Sequence, residues 1–206
     1  IPKFKGERPF EVLGFQYSIY YQNEMDDGLD INDSSWINSF KETRTDTRTQ
    51  FAERFANHLL KYNGTIMVYN KPKLLSVFES IKLVFTELKA KFDIISERIM
   101  DILDILMVDP KYLTSIGRED LDLSTYNFYD NRLSGSYDRK SLAIVFGLND
   151  YLQLDISDDE TEYKTFRLYN DYSDEEKIEV KNKMIQYSQY KAFLLYKIVS
   201  DLNKMI

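Results

Sequence analysis

The chain has 206 residues, of which 43% are hydrophobic and 30% charged, so it is long enough to bury a substantial core as one domain. It contains no cysteine and one histidine, which excludes disulfides, thiol catalysis and metal sites built from cysteine or several histidines. The formal net charge of −7 argues against a uniformly basic surface for nucleic acid, although a local basic face remains compatible with it.

No apolar run approaches the ~18 residues of a membrane-spanning helix. The opening segment also lacks the apolar core of a secretory signal. Together with the lack of cysteine, these features predict a cytoplasmic protein with no membrane contact. Because the first residue is Ile1 and not methionine, we expect residues 1–206 to be a single domain within a longer or processed protein.

The beginning of the chain predicts a hairpin. Residues 10–21 are rich in aromatic and β-branched side chains and are typical of a strand. Residues 25–31 contain Asp-Asp-Gly and suit a turn, and residues 35–40 follow as a short partner strand.

The next segment predicts a helix, a strand and a second helix. Asp46 is a candidate N-cap for a helix whose apolar residues recur at helical spacing and which ends just before Gly64. Residues 65–69 form a short apolar run that indicates a buried strand. Pro72 suits the first turn of a long helical region, which we expect to run to Leu106 with a break near Phe92 and Asp93.

The rest of the chain predicts a loop at 118–135, a short helix at 140–146 and an exposed acidic loop at 157–162. Ser173 and Glu176 form a capping box at the start of a final helix that extends almost to Ile206. The alternation of strands and helices predicts an α/β fold with a mixed sheet flanked by helices.

Five segments, in chain order, resemble domain-of-unknown-function family 2779, which is similar to DEDD-type 3′–5′ exonucleases with an RNase H-like fold. The most distinctive are IPKFKGERPFEVLGFQYSIY at residues 1–20 and GSYDRKSL at 135–142. The others are VYNKPKLLSVF, RIMDILDIL and QYSQYKAFLLYKIV. The resemblance implies an RNase H-like mixed sheet, and its first strand, which carries two acidic metal ligands in the family, would lie before residue 1.

The resemblance also places four former active-site positions. Asn70 matches an asparagine of the family, but Leu74 stands where the family has a carboxylate four positions later. Tyr187 matches the tyrosine of a Tyr-x-x-x-Asp motif, and Lys191 stands where that motif has its acid. Leucine offers no oxygen ligand and a lysine ammonium repels a cation, so we expect no catalytic residue and no bound metal. Lys191 could equally be an ordinary solvated helix lysine.

Basic residues lie beside these positions. Lys71 and Lys73 flank Pro72, and Arg139 and Lys140 begin a predicted helix, so all four are candidate contacts for nucleic-acid phosphates. The alternative is that they are solvated surface residues.

Two carboxylates also fall within the third matching segment. Asp101 and Asp104 are three residues apart and are expected to share a helix face. They would form either a residual cation site or a polar stripe on that helix.

The sequence therefore predicts a degenerate, non-catalytic exonuclease-like module that binds single-stranded nucleic acid or a partner, such as a nuclease region of the same protein. One alternative is a metal-dependent exonuclease that is active in the full-length protein and uses Mg²⁺ or Mn²⁺. Another is a structural domain that supports a neighbouring nuclease region.

Overall fold

Helices dominate the protein. The computed structural model describes residues 15–22, 29–37, 48–107, 110–115, 117, 120 and 127–204. The helices in these ranges are α1 (Arg48–Leu60), α2 (Lys71–Val84), α3 (Lys89–Glu97), α4 (Ile102–Leu106), α5 (Pro110–Ser115), α6 (Arg139–Val145), α7 (Asp159–Leu168) and α8 (Asp174–Asn203). Short 3-10 turns occupy Thr86–Leu88, Asn131–Leu133, Asn149–Gln153 and Tyr169–Asp171. Within the described ranges, no helix is both long enough and apolar enough to cross a bilayer.

The strands form two separate pairs within the described residues. The strands β1 (Phe15–Gln22) and β2 (Leu29–Ile37) are antiparallel, whereas β3 (Ile66–Val68) and β4 (Ile99–Asp101) are parallel. The hairpin is confirmed, but β2 begins at Leu29, inside the predicted turn. The remaining residues of the first predicted strand, at 10–14, and of its partner, at 38–40, lie outside the described residues. The α/β class is confirmed, with two small sheets in place of one mixed sheet among the described strands.

The parallel pair is connected by α2, a 3-10 turn and α3. The predicted break at Phe92 and Asp93 is wrong: the helical region breaks at Phe85, which ends α2, and α3 runs through both positions. The segment after α3 was predicted as helix but forms β4, because its backbone pairs with β3. Arg98 helps to fix this register, because its side chain donates a hydrogen bond to the Gly64 carbonyl at 3.0 Å. Tertiary pairing has overridden the local helical pattern.

Strand β3 separates two apolar cores. Ile66 and Val68 pack against the first core, while the alternate residues Met67 and Tyr69 pack against the second, as the two-residue period of a strand requires. The first core is built by α1, α2 and α3 and includes Phe51, Phe55, Phe78, Ile81, Phe92 and Ile95. The second core is built by α4, α6 and α8 and includes Ile102, Leu106, Leu142, Met184, Tyr187, Leu194 and Ile198.

Helix α8 is the longest element, with 30 residues, and its predicted start is confirmed. The Ser173 backbone N–H donates to Glu176 Oε2 at 2.8 Å, and the Glu176 N–H donates to Ser173 Oγ at 3.3 Å. This reciprocal capping satisfies two N–H groups that have no partner inside the helix. Helix α8 then contacts both β1 and β2.

The predicted exposed acidic loop at 157–162 is wrong. Helix α7 begins at Asp159 and carries Asp159, Glu160 and Glu162 in its first turn. Asp158 caps this helix, because its Oδ1 accepts the Thr161 backbone N–H at 2.7 Å. Acidic side chains in the first turn are favourable near the positive end of the helix dipole.

Candidate functional site

A pocket lies at the carboxyl end of β3, where the chain turns into α2. Its volume is about 170 Å³. The backbone turns at Asn70, whose φ of 64° is left-handed, and the Asn70 side chain caps α2 by accepting the Lys73 N–H at 3.1 Å. Asparagine tolerates this conformation better than most residues, and its side chain suits the cap position. The lining residues are Tyr69, Asn70, Lys73, Leu74, Val77, Arg139, Asp159, Glu162 and Lys191.

The turn at Asn70 is held by a buried carboxylate, Asp101, at the end of β4. Asp101 Oδ1 accepts the Asn70 N–H at 3.1 Å, and Oδ2 accepts the Lys71 N–H at 2.6 Å. Oδ1 also accepts the Leu103 N–H at 3.1 Å, which caps α4. The expectation that Asp101 and Asp104 share a helix face is wrong, because Asp101 has extended backbone and Asp104 is exposed on α4. Asp101 therefore positions the rim of the pocket.

Asp159 forms the polar centre of the pocket. Lys73 Nζ lies 2.9 Å from Asp159 Oδ2, and Arg139 Nη2 lies 2.6 Å from Oδ1. The Tyr187 hydroxyl donates to Oδ1 at 3.4 Å. Burial opposes the charged form of Asp159, but Arg139 and Lys73 outweigh it and hold the pKa of this carboxyl below its usual range. Helices α2, α6, α7 and α8 thus meet at one carboxylate.

Lys191 and Glu162 form a second ion pair in the same pocket. Lys191 Nζ lies 3.1 Å from each carboxylate oxygen of Glu162, whose side chain is only 5% exposed. The ammonium also lies 4.1 Å from the centre of the Tyr187 ring, a cation–π contact. Burial lowers the pKa of Lys191, and the facing Glu162 carboxylate opposes that shift. Burial also raises the pKa of Tyr187, so its hydroxyl stays neutral and can donate a hydrogen bond.

The structure brings most of the predicted site residues together. Asn70, Leu74, Lys73, Arg139 and Lys191 line the pocket. Leu74 contributes an apolar side chain to the pocket wall and packs against the first core. The guanidinium of Arg139 lies over the ring of Tyr69, which also lines the pocket, at 5.4 Å from the ring centre.

Three predicted residues are not part of the pocket wall, although the Tyr187 hydroxyl reaches Asp159. Tyr187 is fully buried directly beneath Lys191, as its ring contact shows. Lys71 Nζ donates to the Ile99 carbonyl at 2.8 Å, and Lys71 does not line the pocket. Lys140 is half exposed, with its Nζ 3.8 Å from Asp158 Oδ2.

Sequence reasoning missed two central residues, Asp159 and Glu162. The signal that identifies them is a capping aspartate followed by acidic residues in the next turn, which is typical of a helix start. Three residues apart on α7, they project on the same side of the helix and reach cations of α2, α6 and α8.

The donor set of the pocket does not suit a divalent cation. In the part of the chain that the structure describes, no group of three or more His, Asp or Glu side chains is close enough to hold a metal ion. The two pocket carboxylates already face ammonium and guanidinium groups, and Leu74 offers no ligand atom. With three cationic and two anionic side chains, the pocket instead has one excess positive charge.

Comparison with known proteins places the chain in a family. No curated protein and no solved structure is similar enough to the chain to be matched. The family model described as Domain of unknown function (DUF2779) matches residues 1–138 of the 206. This segment supplies Tyr69, Asn70, Lys73, Leu74 and Val77, while the other lining residues follow it. The chain belongs to the DUF2779 family.

Proposed function

We propose that this protein is a degenerate, exonuclease-related domain that binds single-stranded nucleic acid without cutting it. The relation to DEDD exonucleases and to an RNase H-like fold is supported by the matching segments and by the arrangement of the positions they identify. Asn70 and Leu74 line one pocket together with Lys191, although Lys191 is more than 100 residues away from them in sequence. The pocket also lies beyond the carboxyl end of a parallel strand pair, where α/β proteins commonly bind ligands.

The observation that carries the non-catalytic part of the proposal is the position of the Lys191 ammonium. It lies between the two oxygens of Glu162, at 3.1 Å from each. Two-metal hydrolysis needs carboxylates that hold cations to activate water and stabilise the leaving oxygen. Here the Glu162 carboxylate is neutralised by the ammonium group of a lysine side chain. It therefore cannot serve as a ligand for a catalytic metal ion.

Charge supports a phosphate-bearing ligand. Lys73, Arg139 and Lys191 outnumber the carboxylates of the pocket, although the whole chain carries a net charge of −7. A positive pocket within an acidic protein attracts an anion locally while the rest of the surface repels it. The Tyr69 ring lies beneath the Arg139 guanidinium, 5.4 Å from its centre, and this contact helps to hold that cation in the pocket.

Salt-dependent binding tests the proposal. Fluorescence anisotropy with short single-stranded DNA and RNA should give an affinity that falls with salt, with a logarithmic slope of about −1.4 for the two phosphate contacts of Lys73 and Arg139. Lys73→Met should reduce that slope by roughly 0.7, because one phosphate contact is lost. Lys89→Met is the matched control, since Lys89 is exposed on α3 and does not line the pocket. Absent binding, or an equal effect of both variants, would contradict the proposal.

Calorimetric titration with Mn²⁺ tests the non-catalytic part separately. We expect no tight two-ion binding and no cleavage of a labelled strand in the presence of Mn²⁺. Tight binding of two ions, or strand cleavage that disappears on chelation, would restore the alternative of a metal-dependent exonuclease.

A further inference from the structure

We propose that Lys73, Arg139 and the Tyr187 hydroxyl form a subsite for a terminal, dianionic phosphate group, and that the Asp159 carboxylate occupies this subsite when no ligand is bound. The inference rests on the proposed function and narrows it to strands that carry a phosphate at one end.

The first argument is the convergence of donors. Lys73 and Arg139 approach different oxygens of Asp159, at 2.9 and 2.6 Å, and Tyr187 adds a neutral donor at 3.4 Å. Charged donors on two neighbouring oxygens of one anionic group are the usual arrangement for carboxylate and phosphate recognition. The carboxylate therefore occupies the place that two phosphate oxygens would take.

The second argument is that Asp159 can leave this position without unfolding α7. The start of α7 is capped by Asp158, through its 2.7 Å hydrogen bond from the Thr161 N–H. The Asp159 side chain is 40% exposed, so water reaches it and can solvate the carboxylate when it is displaced. The Lys73–Asp159 pair, with side chains 47% and 40% exposed, contributes little net free energy. Arg139 is only 22% exposed, and it would exchange its pair with Asp159 for one with a more highly charged ligand.

The third argument is charge. Displacement of Asp159 leaves Lys73 and Arg139 unpaired, while Lys191 remains paired with Glu162. Two unpaired positive charges match the two negative charges of a phosphate monoester near neutral pH. An internal phosphodiester carries only one charge, so it would compete less well with the aspartate that it must displace.

The test compares oligonucleotides of one sequence that carry a 5′-phosphate, a 3′-phosphate or hydroxyl groups at both ends. A phosphorylated end should tighten binding about tenfold at fixed salt, the factor that corresponds to one additional good ionic contact. Asp159→Asn should tighten binding of the preferred phosphorylated strand by about a further tenfold, because the subsite no longer has to be vacated. Comparing the two phosphorylated strands identifies the end that is recognised.

The matched control is Glu160→Gln. Glu160 is adjacent to Asp159 and pairs with Lys164 at the surface, so its replacement makes the same change in net charge outside the pocket. It should leave the preference for phosphorylated ends unchanged. Arg139→Met should abolish that preference, and circular dichroism verifies that each variant is folded.

The outcomes separate this inference from the proposed function. Salt-dependent binding that is equal for all three strands would overturn the terminal-phosphate subsite and leave the proposed function intact. Weaker binding of phosphorylated strands by Asp159→Asn would overturn the inference, since Asp159 would then support the ligand. If inorganic phosphate alone binds, more tightly to Asp159→Asn, while no strand binds, the subsite stands and the nucleic-acid function fails. If neither phosphate nor any strand binds, both fail.

Discussion

Replacing Lys191 by methionine should destabilise the protein by removing the ammonium from a buried carboxylate. The Glu162 side chain is only 5% exposed, and both of its oxygens lie 3.1 Å from Lys191 Nζ. Breaking a buried ion pair by removing one partner costs ~3–5 kcal/mol. Because the Lys191 side chain is 22% exposed, water can partly replace the ammonium, and we expect about 3 kcal/mol, the lower end of that range. Methionine still places an apolar side chain over the Tyr187 ring. The measured loss of stability therefore reports mainly on the missing positive charge of Lys191.

Urea unfolding of a double-mutant cycle measures this coupling. Lys191→Met should cost less in a Glu162→Gln background than in the wild type, by about 2 kcal/mol, because no charged partner is then left unpaired. Lys164→Met is the control: Lys164 pairs with Glu160 through side chains that are 66% and 76% exposed, and its loss should change stability little. Equal costs of Lys191→Met in the two backgrounds would refute the reasoning, as would a cost no larger than that of the control.

Three further predictions concern the rim, the long helix and pH. Asp101→Asn should cost about 2 kcal/mol in urea unfolding, because one amide oxygen cannot replace a carboxylate that accepts three backbone N–H groups, whereas exposed Asp104→Asn should change little. Ser173→Ala should lower stability by about 1 kcal/mol in thermal unfolding through loss of the capping box, and an unchanged midpoint would contradict this. The pKa of Asp159 is depressed in the folded state, so its stabilising contribution exists above its ordinary value of 3.8 and is lost as pH falls below it. The stability difference between wild type and Asp159→Asn should therefore shrink in acid, and a difference that grows would contradict the ion-pair geometry.

Local patterns predicted the elements whose signals are independent of the rest of the chain. The periodic apolar residues of α1, the proline in the first turn of α2 and the capping box of α8 each follow from a few adjacent residues. The apolar run of β3 was also recognisable, because it stands between two polar breaks.

Strand β4 could not be predicted in the same way. Its three residues continue a helical pattern, and they become a strand only through pairing with β3 and through the bonds of Arg98 to the Gly64 carbonyl. Those partners lie more than 30 residues away in sequence. Local propensity is a weak guide when distant pairing competes with it.

About half of the residues that line the candidate site were predicted from the sequence. Five of the nine lining residues follow from the family resemblance and the neighbouring charges, because each lies within a recognisable segment: Asn70, Lys73, Leu74, Arg139 and Lys191. The carboxylates of Asp159 and Glu162 were not predicted, because an acidic stretch considered in isolation is most simply a solvated loop. Asp159 acquires its role only when α6 and α2 bring Arg139 and Lys73 to it.

The first turn of α7 sets the net charge of the pocket. Its two carboxylates hold cations from three other helices, and neither belongs to the apolar cores. Exchange of Asp159 for a neutral residue would raise the excess charge of the pocket from one to two without altering a strand, a core contact or the Lys191–Glu162 pair. Related proteins could therefore diverge in the charge of the molecule they accept through substitutions in a single helical turn.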